Sequence, residues 1–485
     1  MTPAVRDAPR GSREPRGLDL MRLPLVGRFL AWRHARLALQ IPLGALALLL
    51  VVHGLLGPRL APKNLATLLV WVHWRGALVI ALLAVGNVFC MGCPLLLPRE
   101  LARRFFAPAR RLPRRLRRKW IGVSLLVLVL FLYEFLDLWA SPLGTAIVIL
   151  AYFGVALLVD AFFAGAPFCK WICPIGQFNF IASTLSPFEV RVRERSTCDA
   201  CATKDCIRGR RDPLEPQRVV QRGCELALFL PHKVGNVDCT FCLDCVHACP
   251  EHNVAIAARV PGEELALDPL RSGIGRITRR PDIAALVVLF TFGALLNAFG
   301  MVSPVYAFQT WLSEALGTRS ELVVLGVLFL LALVALPAAA LGAAALAVRA
   351  RTGVRLVEHA SRFAFSLAPL GFGVWSAHYS FHFLTGLWTF VPVAQHALIG
   401  LGVELFGRPR WGLGGLSAAQ VWPIEIGIIA LGALGAIAVT WRLARRDFAH
   451  RARAAFIPWS ALHVALAGAA LWLLAQPMEM RGTFL

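Results

Sequence analysis

The chain has 485 residues, of which 58% are hydrophobic and 16% charged, with a net charge of +22 and a mean hydropathy of +0.64. A soluble domain lies nearer about 45–50% apolar and about 25% charged, and the excess here is gathered into uncharged runs such as Leu46–Val52, Leu125–Leu132 and Leu322–Leu336. A soluble enzyme is thereby excluded in favour of a polytopic membrane protein, because about 20 consecutive apolar residues suffice to cross a bilayer.

In chain order, residues 1–35 form a basic tail with seven arginines. It lacks the short apolar core and small-residue cleavage site of a removable signal peptide. Nine spans are then expected, over about 36–56, 66–88, 120–140, 143–165, 283–304, 321–348, 361–385, 424–442 and 455–476. The arginines bunch beside these runs, at Arg99–Lys119, in 190–280, at Arg349–Arg355 and at Arg442–Arg453. That distribution marks cytoplasmic loops and argues against nucleic acid as a partner. Ser141–Pro142 and 305–319 are weakly charged and read as outer loops. The N-terminus and the polar stretch 190–280 therefore face the cytoplasm, and the C-terminus lies outside a cytoplasmic (inner) membrane. Residues 392–407 are apolar, but counting them as a span would put Arg442–Arg453 outside. They read as an outer-surface or re-entrant segment.

The expected fold class is an all-α polytopic membrane protein with an inserted cytoplasmic ferredoxin-like domain. Its parts are the tail 1–35, a four-helix membrane domain 36–189, the insert 190–280 and a five-helix membrane domain 281–485. The insert has turn signals (Asp212-Pro213, Glu215-Pro216, Val260-Pro261-Gly262) and little periodicity. A domain so small calls for a metal or disulfide staple.

That staple is written in cysteine. Cys239, Cys242, Cys245 and Cys249-Pro250 form C-x2-C-x2-C-x3-C-P, the spacing of bacterial ferredoxin ligation, in which the fourth cysteine serves a neighbouring cluster. A second set is present in Cys198, Cys201 and Cys206, with Cys224 beyond. The exchange predicts one [4Fe–4S] cluster on Cys198, Cys201, Cys206 and Cys249 and another on Cys239, Cys242, Cys245 and Cys224. Tetrahedral zinc is the competing use of such pairs. Four more cysteines stand at the cytoplasmic ends of spans, in Cys90-Met-Gly-Cys93-Pro94 and Cys169-Lys-Trp-Ile-Cys173-Pro174. Together they suit a third cluster, copper or a redox disulfide. The alternative is two turns with buried, idle thiols.

These Cys-Pro pairs, with Phe-Cys-Lys-Trp-Ile-Cys-Pro-Ile-Gly closing one span ahead of a two-cluster segment, resemble the membrane polyferredoxins of the NapH, NosR and CcoG type over about residues 65–260. The resemblance implies electron transfer between a quinone pool or cytoplasmic donor and an extracytoplasmic redox partner. It differs in having two residues between Cys90 and Cys93, where those families usually have three, and in its five further spans.

Ionisable side chains inside spans are costly and invite functional readings. His73, His378 and His382 lie towards the outer surface, with His53 and His396 near the same side. They are candidates for a haem, metal or quinone site. The alternatives are a polar network of His73 with Arg75, Glu134 and Asp137, and helix-to-helix bonds from His378 and His382. His463 is a weaker candidate, and Trp375 and Tyr379 read as packing aromatics. Asp160 is expected to pair with Lys170 or act on Cys169, and His247 to face solvent. The function expected is membrane-bound iron–sulfur electron transfer, as a component of a larger oxidoreductase system. The alternatives are a copper-handling or cofactor-maturation factor and a redox-sensing transporter.

Overall fold

The computed structural model describes residues 17–105, 108, 110–215 and 218–478. The first sixteen residues of the basic tail, the Arg104 side chain, Pro216 and the C-terminal end at 479–485 lie outside the described residues.

The chain is mostly helical, and helix falls in each of the nine expected spans. They are α1 (Ala35–Leu56), α2 (Leu65–Val85), α3 (Trp120–Phe135), α4 (Pro142–Phe162), α5 (Pro281–Phe299), α6 (Glu321–Thr352), α7 (Leu356–Thr385), α8 (Ala418–Phe448) and α9 (Ala452–Leu474). Length and composition give a lower count among the described residues. Six runs are long and apolar enough to cross a membrane, with α8 and α9 taken as one run of 57 residues broken at Ala449–Arg451. A seventh follows if α7 and the helix Phe390–Gly400, bent by 55° from it, form one broken span. That bend accords with the re-entrant reading of 392–407.

α3 has 16 residues, about 24 Å of helix at about 1.5 Å per residue, against a hydrocarbon core of about 30 Å. It stops short of the expected residue 140 because the chain turns at Asp137, whose φ is +44°. The expected outer loop 305–319 is largely a helix, Pro304–Leu316. α6 carries a π-turn at Leu331–Ala335 just ahead of Pro337, where the missing proline N–H favours a wider turn.

α5 is the central post, with 83% of its apolar window buried inside the protein. Residues 363–382 of α7 are almost all buried against α5 and α8. Small residues permit the close crossing of α7 and α8: a Cβ on Gly373 would come within 3.3 Å of the Gly432 Cα.

The insert is short on regular structure. β1 (Phe188–Val192) pairs antiparallel with β4 (Val254–Ala258), with Val190 opposite Ile256. β2 (Arg210–Arg211) and β3 (Val219–Gln221) form a small irregular pair between them. The N-terminal segment joins this sheet edge, where Ala258 N–H donates to Leu18 O at 2.8 Å and Ile256 N–H to Asp19 Oδ1 at 3.2 Å. The insert shares one apolar core with the membrane helices, running from Leu78 and Leu82 through Leu226, Phe241 and Val254 to Phe290. Its cysteines are therefore held against the helix ends.

Candidate metal centre

All twelve cysteines are free thiols, and they fall into three groups of four. Cys198, Cys201, Cys206 and Cys249 line one cavity, with Thr197, Lys204, Asp205 and Glu251 around them. Cys224, Cys239, Cys242 and Cys245 line a second, walled by Val190, Leu226, Leu228, Leu230, Phe241 and Leu243. The motif's fourth cysteine thus leaves its three neighbours for the other cavity. Asn253 ties that arrangement: its backbone N–H donates to Cys249 Sγ at 3.4 Å and its side-chain amide to Cys198 Sγ at 3.3 Å. Left-handed turns at Lys204 (φ +53°), Phe241 (φ +54°) and Leu243 (φ +62°) curl the chain round the two cavities. None of these is glycine, so the conformation carries strain that the surrounding packing must hold.

Cys90, Cys93, Cys169 and Cys173 line one chamber of about 300 Å³. Cys169 lies in a π-turn, Phe168–Ile172. Cys173 caps the following helix Pro174–Ala182, its Sγ accepting the Gly176 N–H at 3.2 Å. Asn179 donates to Cys90 Sγ at 3.4 Å. The chamber continues to Trp71, Trp74, Arg75, Tyr152, Trp375 and Tyr379. Arg75 lies over three rings, 4.3 Å from Tyr133, 4.6 Å from Trp71 and 5.2 Å from Tyr379.

The groups are linked. Thr240 lines both the second cavity and the chamber. Asn87 donates to Cys239 O at 3.0 Å while its carbonyl accepts the Cys90 N–H at 3.4 Å. Cys224 N–H donates to Cys206 O at 2.9 Å, which joins the two cavities of the insert.

Burial pushes the Cys206 thiol up to about 11, with Cys249, Cys198 and Cys201 adding to the shift. Burial likewise raises Cys224 to about 11, and it carries Cys242 and Cys245 well above the ordinary thiol value. Such thiols ionise together only around a positive charge. Among the described residues, no three His, Cys, Asp or Glu side chains converge as they must on a single metal ion. Each group of four stands around a void instead.

The other candidates fare differently. His73 Nδ1 lies 3.3 Å from Leu68 O and Nε2 3.3 Å from Leu387 O, so both ring nitrogens face backbone. His378 and His382 are buried one turn apart, ring centroids 5.0 Å from each other. His53 Nδ1 accepts the Leu65 N–H at 3.2 Å, and His463 Nε2 bonds Ser366 Oγ at 3.0 Å and Thr440 Oγ1 at 2.9 Å. Both are thus explained by packing. Asp160 does not reach Lys170. It pairs with Arg99 at 3.4 Å and accepts the Phe168 N–H at 3.1 Å, because Lys170 is turned towards Asp238. His247 is half-buried, its Nε2 3.3 Å from Leu30 O, rather than turned to solvent. Asn87, Asn179 and Asn253 escaped the sequence reading. Their signal was a carboxamide set beside a cysteine motif.

Fold and site define a multi-pass helical membrane protein with twelve cysteines gathered at one end of its helices. A stretch of 108 residues is 29% identical to "Putative electron transport protein YccM" of Escherichia coli (strain K12), covering 22% of this chain and 25% of that protein. Another similarity, 27% over 191 residues, is to "Uncharacterized protein MJ0749" of Methanocaldococcus jannaschii, covering 38% of this chain and 68% of the relative. The chain thus spans a quarter of the length of the first relative. No family model and no solved structure matches it.

Proposed function

We propose that this chain is a membrane-bound iron–sulfur electron-transfer protein of the polyferredoxin type. The observation that carries the reading is the partition of twelve cysteines into three linked groups of four, each around its own cavity. The donor set fits [4Fe–4S] clusters: four thiols apiece and amide N–H groups aimed at sulfur. Cys198, Cys201, Cys206 and Cys249 would hold one cluster, and Cys224, Cys239, Cys242 and Cys245 a second. Cys90, Cys93, Cys169 and Cys173 would hold a third, or copper. When bound, such clusters supply one-electron exchange without change of ligands.

The residues of the chain then divide the work. The charged rim of the first cavity faces solvent and a soluble donor. The apolar wall of the second excludes water, and Asn87 and Thr240 hold it against the chamber. The chamber's apolar reach towards Arg75 and Tyr379 offers a lipophilic carrier, such as a quinone, access to the third site. His73, with both nitrogens on backbone carbonyls, is poorly placed to bind haem. Basic loops beside the cysteine end support a cytoplasmic position for it. The similarity to a protein described as serving electron transport supports the reading.

The test is iron, sulfide, copper and haem quantitation with EPR on the anaerobically purified protein. About eight irons per chain correspond to two clusters and about twelve to three. Zinc in place of iron overturns the proposal.

A further inference from the structure

Between the second cavity and the chamber lies a charge cluster that no cysteine motif demands. Lys119 and Asp238 are each 1% exposed, and Lys170 is buried beside them. Lys119 precedes α3, Lys170 stands between Cys169 and Cys173, and Asp238 immediately precedes Cys239. Lys119 Nζ donates to Asp238 Oδ1 and, at 2.6 Å, to Lys170 O. Lys170 Nζ donates to Leu226 O and to Gly273 O (3.1 Å), and lies 3.8 Å from Asp238 Oδ2. Both amines meet only acceptors, and Lys119 also lies over the Trp171 and Phe180 rings, 5.2 and 4.7 Å from their centroids. Carbonyls, a carboxylate and ring faces favour ammonium ions here, against burial, which pulls Lys119 down to about 8 and Lys170 below its ordinary value. The nearby Arg280–Asp282 pair, 2.7 Å apart, is neutral in sum.

Two ammonium groups against one carboxylate leave one positive charge in excess, buried where it costs most to keep. It is larger than the fold requires, since a single lysine would match Asp238. Neither amine is bonded to a thiol. The excess charge faces Cys224 through Leu226 and Cys239 through Asp238, whereas the first cavity has its own, solvated charges. An iron–sulfur centre gains negative charge on reduction, and a fixed cation in a dry setting favours the reduced form.

Resting on the function proposed above, we infer that Lys119 and Lys170 set the potential of the centre held by Cys224, Cys239, Cys242 and Cys245, holding it above that of a centre without them. They are positioning residues for an electron.

The test is an EPR-monitored redox titration of the full-length protein in two backgrounds, each with Cys90→Ser to remove the third site: Cys201→Ser to leave the inner centre and Cys242→Ser to leave the outer one. Lys170→Met and Lys119→Met are expected to move the inner midpoint to more negative potential and leave the outer one in place. Asp238→Asn is expected to move the inner midpoint the opposite way, and Lys170→Arg to hold it. A purely structural role would lower cluster occupancy in all four variants with no reversal of sign. Unmoved midpoints, or the same direction for Lys170→Met and Asp238→Asn, overturn the inference while leaving the clusters established. A wild-type protein without clusters overturns both readings. Should Lys170→Met assemble no inner centre, Lys119→Met and Asp238→Asn still decide by their opposite signs.

Discussion

The two cavities of the insert each take three cysteines from one short run and a fourth from elsewhere, with different spacing (Cys198-x2-Cys201-x4-Cys206 against Cys239-x2-Cys242-x2-Cys245), and they are finished differently. Around Cys198, Cys201, Cys206 and Cys249 the walls are Thr197, Lys204, Asp205 and Glu251, and the thiols are half-buried. Around Cys224, Cys239, Cys242 and Cys245 they are mostly valine, leucine and phenylalanine, joined by Lys233 and Thr240, with Cys239 and Cys245 buried in the protein's main core. On the proposed function, one ligand set at two depths would give a site that meets partners and a site that is shielded from them. Burial, hydrogen bonds to sulfur and nearby charge are the levers by which a protein separates two such potentials.

The sharpest way to break this contrast is to remove one thiol from each side. Cys201→Ser and Cys245→Ser are each expected to lose one centre, about four irons by colorimetric assay. Cys245→Ser alone is also expected to lower the thermal midpoint, because it opens a core shared with the membrane helices. Equal melting temperatures in the two variants would erase the distinction between rim and core.

A second expectation concerns what clamps the inner site to the helices. Arg99 is 1% exposed and pairs with Asp160 at 3.4 Å, Glu225 at 3.2 Å and Glu100 at 2.6 Å. Arg36 extends the network to Asp244, beside Cys245, at 3.6 Å. Removing one partner from a buried pair costs about 3–5 kcal/mol. Arg99→Met should therefore destabilise the detergent-solubilised protein strongly and release the inner centre before the outer. Adding Asp160→Asn should recover part of the loss, and a thermal melt of both variants checks it.

Smaller in size, Asn253→Ala removes the side-chain bond to Cys198, along with two to the Glu194 backbone, and keeps the backbone bond to Cys249. The loss of one such bond is worth about 1 kcal/mol. A modest negative shift confined to the outer centre is expected in the same EPR titration.

Asn253 also shows where sequence reading stopped. The cysteine spacing was legible, and with it the exchange of Cys249 between the two groups, because ligation imposes a local pattern of two and three residues. The donors to sulfur were not, since Asn179 reaches Cys90 across 89 positions and no periodicity encodes that. Of the two uses expected for Asp160, pairing with Lys170 fails for the same reason, since Arg99, 61 positions away in sequence, is its neighbour only in the fold, whereas its charge does help to raise the Cys169 thiol. The spans were legible as apolar runs, but α3 was overestimated because hydropathy does not register the turn at Asp137. Membrane depth, the reading made for the histidines, is not a matter of contacts. What contacts do reveal is that His53, His73 and His463 are engaged with backbone or hydroxyl groups.

The smallest effect expected is on acid stability, and it too separates the two sites. Glu100 stands beside Arg99, Arg222 and Arg36, in the network that clamps the inner cavity. Burial alone would raise its carboxyl, but the three guanidinium groups outweigh that and hold it down to about 2, from an ordinary value of 4.5. A carboxyl depressed on folding contributes stability that is fully present above its unfolded value and is lost as pH falls through the folded one. The window is therefore about pH 4.5 down to about 2, and nothing at neutral pH should change. Glu100→Gln is expected to flatten the wild-type loss of thermal midpoint across that window. Neither cavity has a guanidinium group along its lining among the described residues, but the network reaches the inner one through Glu225, beside Cys224, and Asp244, beside Cys245. Iron release across that window should accordingly follow Glu100 for the inner centre and be indifferent to it for the outer. Release of both centres in parallel, with and without Glu100, would place the acid sensitivity in the thiolates themselves.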